Sequence, residues 1–283
     1  MVMATKGVKR VSIQGELGSN SHMAALEIAP GAAVVAAITS AQAMDRVHHE
    51  EVDGVVLPIE NSLHGSVADH YDLLLSRPLR MVRELNLRVR HQVIGRPGVK
   101  LSEIRRVMSH PVALSQCKRW LAGHPEIDAV TFYDTAGSVK HVMEDGLRDA
   151  AGIAPVLAAE VYGGVVLAAD IEDHAENYTR FHLIVAESDL PAWAEETATA
   201  DKMSLVFAVE HRPGTLVAAL DRMARAGADL TKIESRPVAG RPWEYLFYAD
   251  LRFGEPAMAD AIVRELTTCC GMVREMGRYR AAV

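Results

Sequence analysis

From Val11 to Ala186 the chain alternates short apolar runs with stretches of helical spacing. Val11-Ser12-Ile13-Gln14, Ala33 to Ile38 and Gly54 to Leu57 are too short for helices and read as strands. Between them, Ser19 to Ile28 and Ser40 to Glu51 carry helical spacing behind Ser and Asn caps. A helix follows near Val67 to Leu75, then a long β-rich segment, Arg80 to Ile94, which Gly95-Arg96-Pro97-Gly98 breaks. The pattern then restarts. Arg106 to Met108, Ala129 to Tyr133, Ala150 to Ala154 and Val165 to Leu167 read as strands; Pro111 to Leu121, Thr135 to Met143 and Val156 to Tyr162 read as helices. Such alternation implies βαβ units and mainly parallel sheet. Two runs joined by one long β segment predict two α/β lobes with a cleft between them.

Residues 187–202 change character, with Pro191, acidic residues and Ala198-Thr199-Ala200, and read as a linker. A smaller unit then opens with a strand over Met203 to Glu210 and a turn at His211-Arg212-Pro213-Gly214. A helix over Thr215 to Ala226, strands over Leu230 to Val238 and Trp243 to Phe253, a helix over Ala257 to Thr268 and a strand over Met272 to Met276 complete it. Ala239-Gly240-Arg241-Pro242 reads as the hairpin connection between its middle strands. The order βαββαβ is ferredoxin-like.

The formal net charge of −7, without a Lys/Arg-rich run, argues against nucleic acid and against anionic membrane surfaces as partners. An acidic protein can still hold a local cationic pocket. Lys6, Lys9 and Arg10 are followed by no apolar stretch of signal-peptide type, and no run approaches the length of a membrane span. Cys117, Cys269 and Cys270 form neither a disulfide framework nor a metal pattern, so they read as reduced cytoplasmic thiols. The histidines are scattered, and no dinucleotide fingerprint, Gly-x-Ser-x-Gly elbow or Cys-His arrangement occurs. Chemistry here is expected to run without cofactor or metal.

Polar clusters follow the strands and open helices: Gly15 to Ser21, including Ser19; Glu60-Asn61-Ser62 to Ser66; Ser109-His110-Pro111; and Asp134-Thr135-Ala136-Gly137-Ser138. Helix starts offer unpaired N–H groups and partial positive charge, so each is a candidate anion site. Taken singly, each reads equally as ordinary capping. Four at equivalent strand ends, together with Asn177-Tyr178-Thr179-Arg180-Phe181 at another strand start, predict a shared carboxylate-binding cleft.

Three of these stretches also carry a family likeness. Leu57-Pro58-Ile59-Glu60-Asn61-Ser62 with Gly65-Ser66-Val67, Ser109-His110-Pro111 with Gln116-Cys117, and Asn177 to Phe181 together resemble prephenate dehydratase. Pro213-Gly214-Thr215-Leu216-Val217 and Ile233-Glu234-Ser235-Arg236-Pro237 are similar to the amino-acid-binding ACT domain fused behind that enzyme. The resemblance spans nearly the whole chain. It implies an α/β catalytic region of two lobes, like periplasmic binding proteins, over residues 9–186, a linker over 187–202 and an α+β ferredoxin-like ACT regulatory domain over 203–279. It also implies conversion of prephenate to phenylpyruvate, with loss of carbon dioxide and water, in phenylalanine biosynthesis. L-phenylalanine would be the allosteric inhibitor and the assembly a homodimer or homotetramer. The neighbouring possibilities are arogenate as substrate, or an amino-acid sensor without activity.

The matching Thr-Arg-Phe puts the family's essential threonine at Thr179, and family active-site positions fall on Glu60, Asn61, Ser109 and Gln116. Prephenate is a dianion, so Arg180 is expected to anchor its pyruvyl carboxylate or to order the cleft, with backbone N–H groups near Ser62 and Thr135. Ala136 and Ser19 stand at the same kind of helix start. Thr179 is expected to hydrogen-bond the leaving hydroxyl, and Glu60 either relays the proton, if burial keeps it protonated, or is a structural carboxylate. Phe181 is a cleft wall or plain strand core. In the smaller unit, Gly214, Thr215 and Leu216 start a helix whose N–H groups could meet an amino-acid carboxylate, and Glu234, Ser235 and Arg236 could contact its amino group or a partner subunit. Two departures from the family pattern are visible. The opening motif reads Gly15-Glu16-Leu17-Gly18-Ser19-Asn20-Ser21, without the usual Pro after its first Gly or the usual aromatic before the Ser, and the effector stretch has Thr215 for Ala and Asp229 for Asn.

Overall fold

The computed structural model describes residues 8–238 and 244–282. The first alternating run gives β1 (Arg10–Gln14), α1 (Asn20–Ile28), β2 (Ala33–Ala37), α2 (Ser40–His48), β3 (Gly54–Asn61), the short β4 (Gly65–Ser66), α3 (Ala68–Leu75) and β5 (Leu79–Arg88). The second gives β6 (Gln92–Gly95), β7 (Arg106–Ser109), α4 (Pro111–Ser115), α5 (Lys118–Ala122), β8 (Asp128–Thr131), α6 (Thr135–Glu144), β9 (Ala150–Ala154), α7 (Val156–Tyr162), β10 (Val165–Ala168) and β11 (Tyr178–Ala186). After these come α8 (Ala194–Ala198), β12 (Lys202–Ala208), α9 (Thr215–Arg225), β13 (Asp229–Pro237), β14 (Tyr245–Arg252), α10 (Pro256–Thr267) and β15 (Met272–Tyr279). The hairpin connection expected over 239–242 lies outside the described residues.

Packing divides the described chain into two compact units. One holds Val8–His70 and Asn86–Phe181; the other holds Tyr71–Leu85 and the described residues from His182 onward. Strands β5 and β11 contribute residues to both.

The first unit contains two sheets. In one, β1 pairs in parallel with β2 and β3, and the start of β11 follows β3 in the strand order. Val11, Ile13, Val55, Val56 and Leu57 are fully buried, as are Ala24, Ala25, Ala43 and Met44 of the flanking helices. Strands covered in this way favour continuous apolar runs, which Gly54 to Leu57 supplies; in β1 the buried Ser12 donates to Val35 O at 3.2 Å instead. The other sheet has the order β10-β6-β9-β7-β8. There β7 runs parallel to β8 and β9, but β6 is antiparallel to β9 and β10, so this sheet is mixed.

Two elements differ from the sequence pattern. The long segment Arg80 to Ile94 is two strands in different sheets, parted where Val89 N–H donates to Asn177 O (2.8 Å) and His91 N–H to Glu172 Oε2 (3.0 Å). The helix expected over Pro111 to Leu121 is two short helices broken at Gln116 and Cys117. Asp173 reaches in from outside, accepting the N–H groups of Lys118 and Arg119 at 2.9 Å each, while its own N–H donates to Gln116 O at 2.6 Å. A second start to the helix is thereby capped, and Gln116 is freed to turn toward the cleft.

The second unit shows the βαββαβ order, with β13-β14-β12-β15 antiparallel and β5 added in parallel beside β15. Helices α9 and α10 cover one face, packing Ala219, Met223, Ala259, Ile262 and Leu266 on Met203, Leu205, Phe207, Ala249 and Leu251. The stretch expected as a linker is ordered here as a 3₁₀ turn, Glu187–Trp193, and α8. Trp193 is buried under the Arg83 guanidinium, 5.0 Å from its ring centre, and Arg83 also pairs with Glu196. Among the described residues, no helix is long and apolar enough to cross a membrane.

Candidate active site

The carboxyl end of β3 and the start of β11 bring two of the polar clusters together. Ser62 N–H donates to Tyr178 O at 2.8 Å, and Tyr178 N–H donates back to Ser62 Oγ at 3.0 Å. Ser62 therefore ties the two segments, and its N–H is engaged there. Asn61 holds the centre. Its Oδ1 accepts the backbone N–H groups of Leu63 and His64, both at 3.0 Å. A backbone N–H can only donate, so these two bonds fix the amide orientation. Asn61 Nδ2 must then face the other way, toward Asn177 Oδ1 (2.8 Å), Tyr178 O (3.1 Å) and Thr179 Oγ1 (3.0 Å). Thr179 thus receives a hydrogen bond on a lone pair, and its own O–H points elsewhere.

Next along β11, Arg180 Nη2 donates to Glu60 Oε2 at 2.8 Å, with the Arg180 side chain 10% exposed. Phe181 is 1% exposed and packs as strand core.

The second sheet supplies the facing groups. Gln116, 7% exposed, accepts from His91 Nε2 on its Oε1 (2.8 Å) and places its Nε2 3.2 Å from His64 Nδ1. An Nδ1 that accepts from Gln116 cannot also donate to Asn61 Oδ1, 3.3 Å away, so His64 joins Asn61 through its backbone N–H, and Asn61 in turn reaches Thr179. Burial lowers the His91 pKa below the usual 6.5, against opposing contributions from Gln116 and Glu172. Ser109 is fully buried and donates to Ile153 O at 2.6 Å, which fastens β7 to β9. Thr135 and Ala136 open α6, where Asp134 Oδ1 accepts Gly137 N–H at 2.8 Å. A carboxylate therefore already occupies that helix start, and burial pushes its pKa up.

Ser19 caps α1 by accepting His22 N–H at 3.4 Å. The loop before it is fastened to the helices of the second sheet: Glu16 accepts from Tyr133 OH (2.9 Å) and Lys140 Nζ (3.2 Å), and Leu17 O accepts from Tyr162 OH (2.9 Å). Gly18, at φ +85°, lies so close that an added Cβ would sit 2.8 Å from Ala158 Cα. Glu16, the departure from the usual Pro, thus ties the loop after β1 to Tyr133 and to Lys140 of α6.

The structure brings Thr179, Arg180, Glu60, Asn61 and Gln116 together, and gives Ser62, Ser109, Ser19, Thr135 and Ala136 backbone or capping roles. Asn177, read from sequence as part of the Asn177–Phe181 stretch but given no role of its own, also belongs to the first group, as do His64 and His91, which were not singled out from sequence. Asn177 lay within the Thr-Arg-Phe stretch, a usable signal; the two histidines had none.

In the second unit, Gly214, Thr215 and Leu216 line a pocket of ≈ 1050 Å³ with Phe247, Gly271 and Met272. Glu234 and Arg236 lie away from it. They pair in register with Tyr248 and Leu246, and Arg236 donates to Asp72 at 2.9 Å. Ser235 pairs opposite Phe247. Among the described residues, no group of three His, Cys, Asp or Glu side chains could hold a metal ion.

Residues 11–189 match the family described as Prephenate dehydratase. The chain is 39% identical over 284 residues to arogenate dehydratase/prephenate dehydratase 2, chloroplastic, of Arabidopsis thaliana, covering 95% of this chain and 72% of that protein. It is 40% identical over 274 residues to arogenate dehydratase 2 of Petunia hybrida, covering 91% and 67%. A solved structure of prephenate dehydratase from Arthrobacter aurescens in complex with L-Phe superposes with a TM-score of 0.85 at 32% identity, covering 96% of this chain and 90% of that one. GqqA, described as a novel type of quorum quenching acylase, superposes with a TM-score of 0.85 at 31% identity, covering 96% and 98%. With two α/β lobes of periplasmic-binding-protein type and a matched region enclosing every residue of the Asn61–Thr179 set, the chain belongs to the prephenate dehydratase family.

Proposed function

We propose that the chain converts prephenate to phenylpyruvate, removing carbon dioxide and water. The likeness to GqqA means that the fold alone does not decide the reaction, so the reading rests on the site. The observation that carries it is the 3.0 Å bond from Asn61 Nδ2 to Thr179 Oγ1, in an amide whose other end two backbone N–H groups hold. It leaves the Thr179 O–H directed away from Asn61 and able to donate.

In the reaction the bond from the ring to its carboxylate breaks, and that electron pair enters the ring as CO₂ departs. The ring C–O bond opposite breaks, and the departing oxygen takes one proton to leave as water. Prephenate and one proton thus give phenylpyruvate, carbon dioxide and water. Aromatisation drives the change, so the protein must orient the dianion and stabilise charge on the leaving oxygen. A threonine hydroxyl is a poor free acid and donates as the C–O bond breaks. Arg180, paired with Glu60, orders the cleft and offers cationic charge to the pyruvyl carboxylate; Glu60 acts as its counter-ion. Gln116, His64 and Asn61 hold Thr179 in place, and Phe181 supports the strand from the core.

Residues 9–186 are assigned to catalysis, 187–202 to the connection and 203–279 to an ACT regulatory domain. The βαββαβ order and the pocket at Gly214-Thr215-Leu216 support this, as does the L-Phe complex of the Arthrobacter relative. L-phenylalanine is the proposed inhibitor there, in a cytoplasmic homodimer or homotetramer. Arogenate is the second reading, favoured by the names of the plant relatives. The test is phenylpyruvate formation from prephenate by the purified protein, with and without phenylalanine, beside Thr179→Ala. Activity abolished in Thr179→Ala and suppressed by phenylalanine is expected. Activity confined to arogenate would exchange the substrate, and none on either would overturn the reading.

A further inference from the structure

Asn177 stands one residue before Tyr178 and is 1% exposed. Its backbone is pinned, because its carbonyl accepts Val89 N–H at 2.8 Å. Its side-chain orientation is pinned as well. Leu63 and His64 N–H hold Asn61 Oδ1, so Asn61 offers only N–H donors to Asn177, and Asn177 must answer with Oδ1 at 2.8 Å. That leaves Asn177 Nδ2 buried with no hydrogen-bond partner among the described residues. A buried donor left in that position is unfavourable, and an apolar side chain of the same shape would avoid the cost. The same Asn61 nitrogen that takes up Asn177 Oδ1 also bonds Thr179 Oγ1, so neither the Asn177 Nδ2 nor the Thr179 O–H is directed at Asn61. One amide therefore engages an acceptor on both residues and leaves each with a donor of its own.

We propose that Asn177 is a catalytic residue, and that its Nδ2 donates to the leaving oxygen of the substrate beside the Thr179 hydroxyl. This rests on the dehydratase reading. The leaving oxygen is nearly neutral in the bound substrate and gains negative charge as the C–O bond breaks. A neutral amide donor strengthens with that charge, and does not hold the substrate carboxylates tightly beforehand. Thr179 passes its proton to that oxygen and regains the one proton the reaction consumes from solvent; Asn177 supplies a second hydrogen bond to the same atom, which leaves as water.

The test uses the full chain and prephenate, with Asn177→Leu and Asn177→Asp compared with the parent protein for kcat, KM and melting temperature. Leu removes the donor without adding charge. We expect kcat to fall by about 100-fold with KM little changed, the size of effect seen when one such donor is lost. Asp keeps an oxygen for Asn61 Nδ2 and lacks the N–H. Its kcat should be low at neutral pH and recover, relative to the parent at equal pH, as acid protonates the carboxyl and restores a donor. If Asn177 merely held Asn61, the Asp variant would match the parent at every pH, and that result overturns the inference. So does a Leu variant that melts like the parent and keeps its kcat. Should the Leu variant fail to fold, the Asp pH profile decides. A parent protein that forms no phenylpyruvate removes the dehydratase reading and this inference with it. An active parent with fully active Asn177 variants removes the inference alone.

Discussion

The Arg180 guanidinium donates to the Glu60 carboxylate at 2.8 Å, joining the last turn of chemistry on β3 to the first on β11. Glu60 is 34% exposed and Arg180 10%, so the cation is the more enclosed partner. This geometry favours Glu60 as counter-ion over Glu60 as proton donor. Gln at position 60 keeps the shape and one acceptor oxygen but has no acid proton to give. In Glu60→Gln we expect kcat to stay within about tenfold of the parent, because loss of a working general acid would cost roughly 10²–10⁴-fold. A steady-state comparison decides it, and a loss in that upper range would make Glu60 the acid.

Thr179 should show the opposite pattern. Thr179→Ser retains an oxygen to accept from Asn61 Nδ2 and an O–H to donate, so turnover near the parent's is expected. Thr179→Val keeps the β-branched shape of a strand residue that is 9% exposed, and removes the hydroxyl alone. Its kcat should fall by about 10²–10⁴-fold with an unchanged melting temperature. Substantial turnover by the Val variant would end the proton-delivery role.

Much of this was legible because the physics is local. Gly54 to Leu57 is an apolar run without alternation, as a strand buried on both faces requires, whereas β1 sets the polar but fully buried Ser12 between Val11 and Ile13. Thr179-Arg180-Phe181 was legible as polarity at a strand start. Its partner was not: Asn61 lies 118 residues away in the chain, and only tertiary folding makes the two neighbours. The break between β5 and β6 was hidden for the same reason. Leu87 and Val89 are buried on either side of Arg88, so the apolar pattern runs on, while the bond from Val89 N–H to Asn177 O ends the strand. At Gln116 the helical spacing continues through the break, and Asp173, far along the chain, imposes the second cap.

Stability should fall on the acid side through His91. Burial lowers its folded pKa below the unfolded 6.5, with the Gln116 hydrogen bond and the Glu172 charge opposing in part. A depressed histidine stabilises the fold above the unfolded pKa, and that contribution is lost as pH falls below 6.5 toward the folded value, because the unfolded chain takes the proton first. His91→Gln removes the titrating group. Its melting temperature should decline less steeply between neutral and acid pH than the parent's; parallel curves would show that His91 titrates alike in both states.

The pocket of the second unit invites the last test, at Thr215. Its hydroxyl lies 2.7 Å from Glu210 O and 2.9 Å from Arg212 O, so it ties down the turn that ends at Gly214, whose φ of +86° starts α9. The family's usual Ala cannot make those bonds. The Thr here therefore holds the loop, and the N–H groups at the start of α9 face the pocket from a fixed frame. A ligand that binds a fixed loop loses less freedom than one that must order it. Thr215→Ala should weaken L-phenylalanine binding, by up to about tenfold if the lost hydrogen bond is worth roughly 0.5–1.5 kcal/mol. Titration calorimetry on the full chain measures this directly. Unchanged affinity would show that Glu210 to Gly214 is held without Thr215, and tighter binding would mean that the hydroxyl props the loop in a shape the ligand must undo.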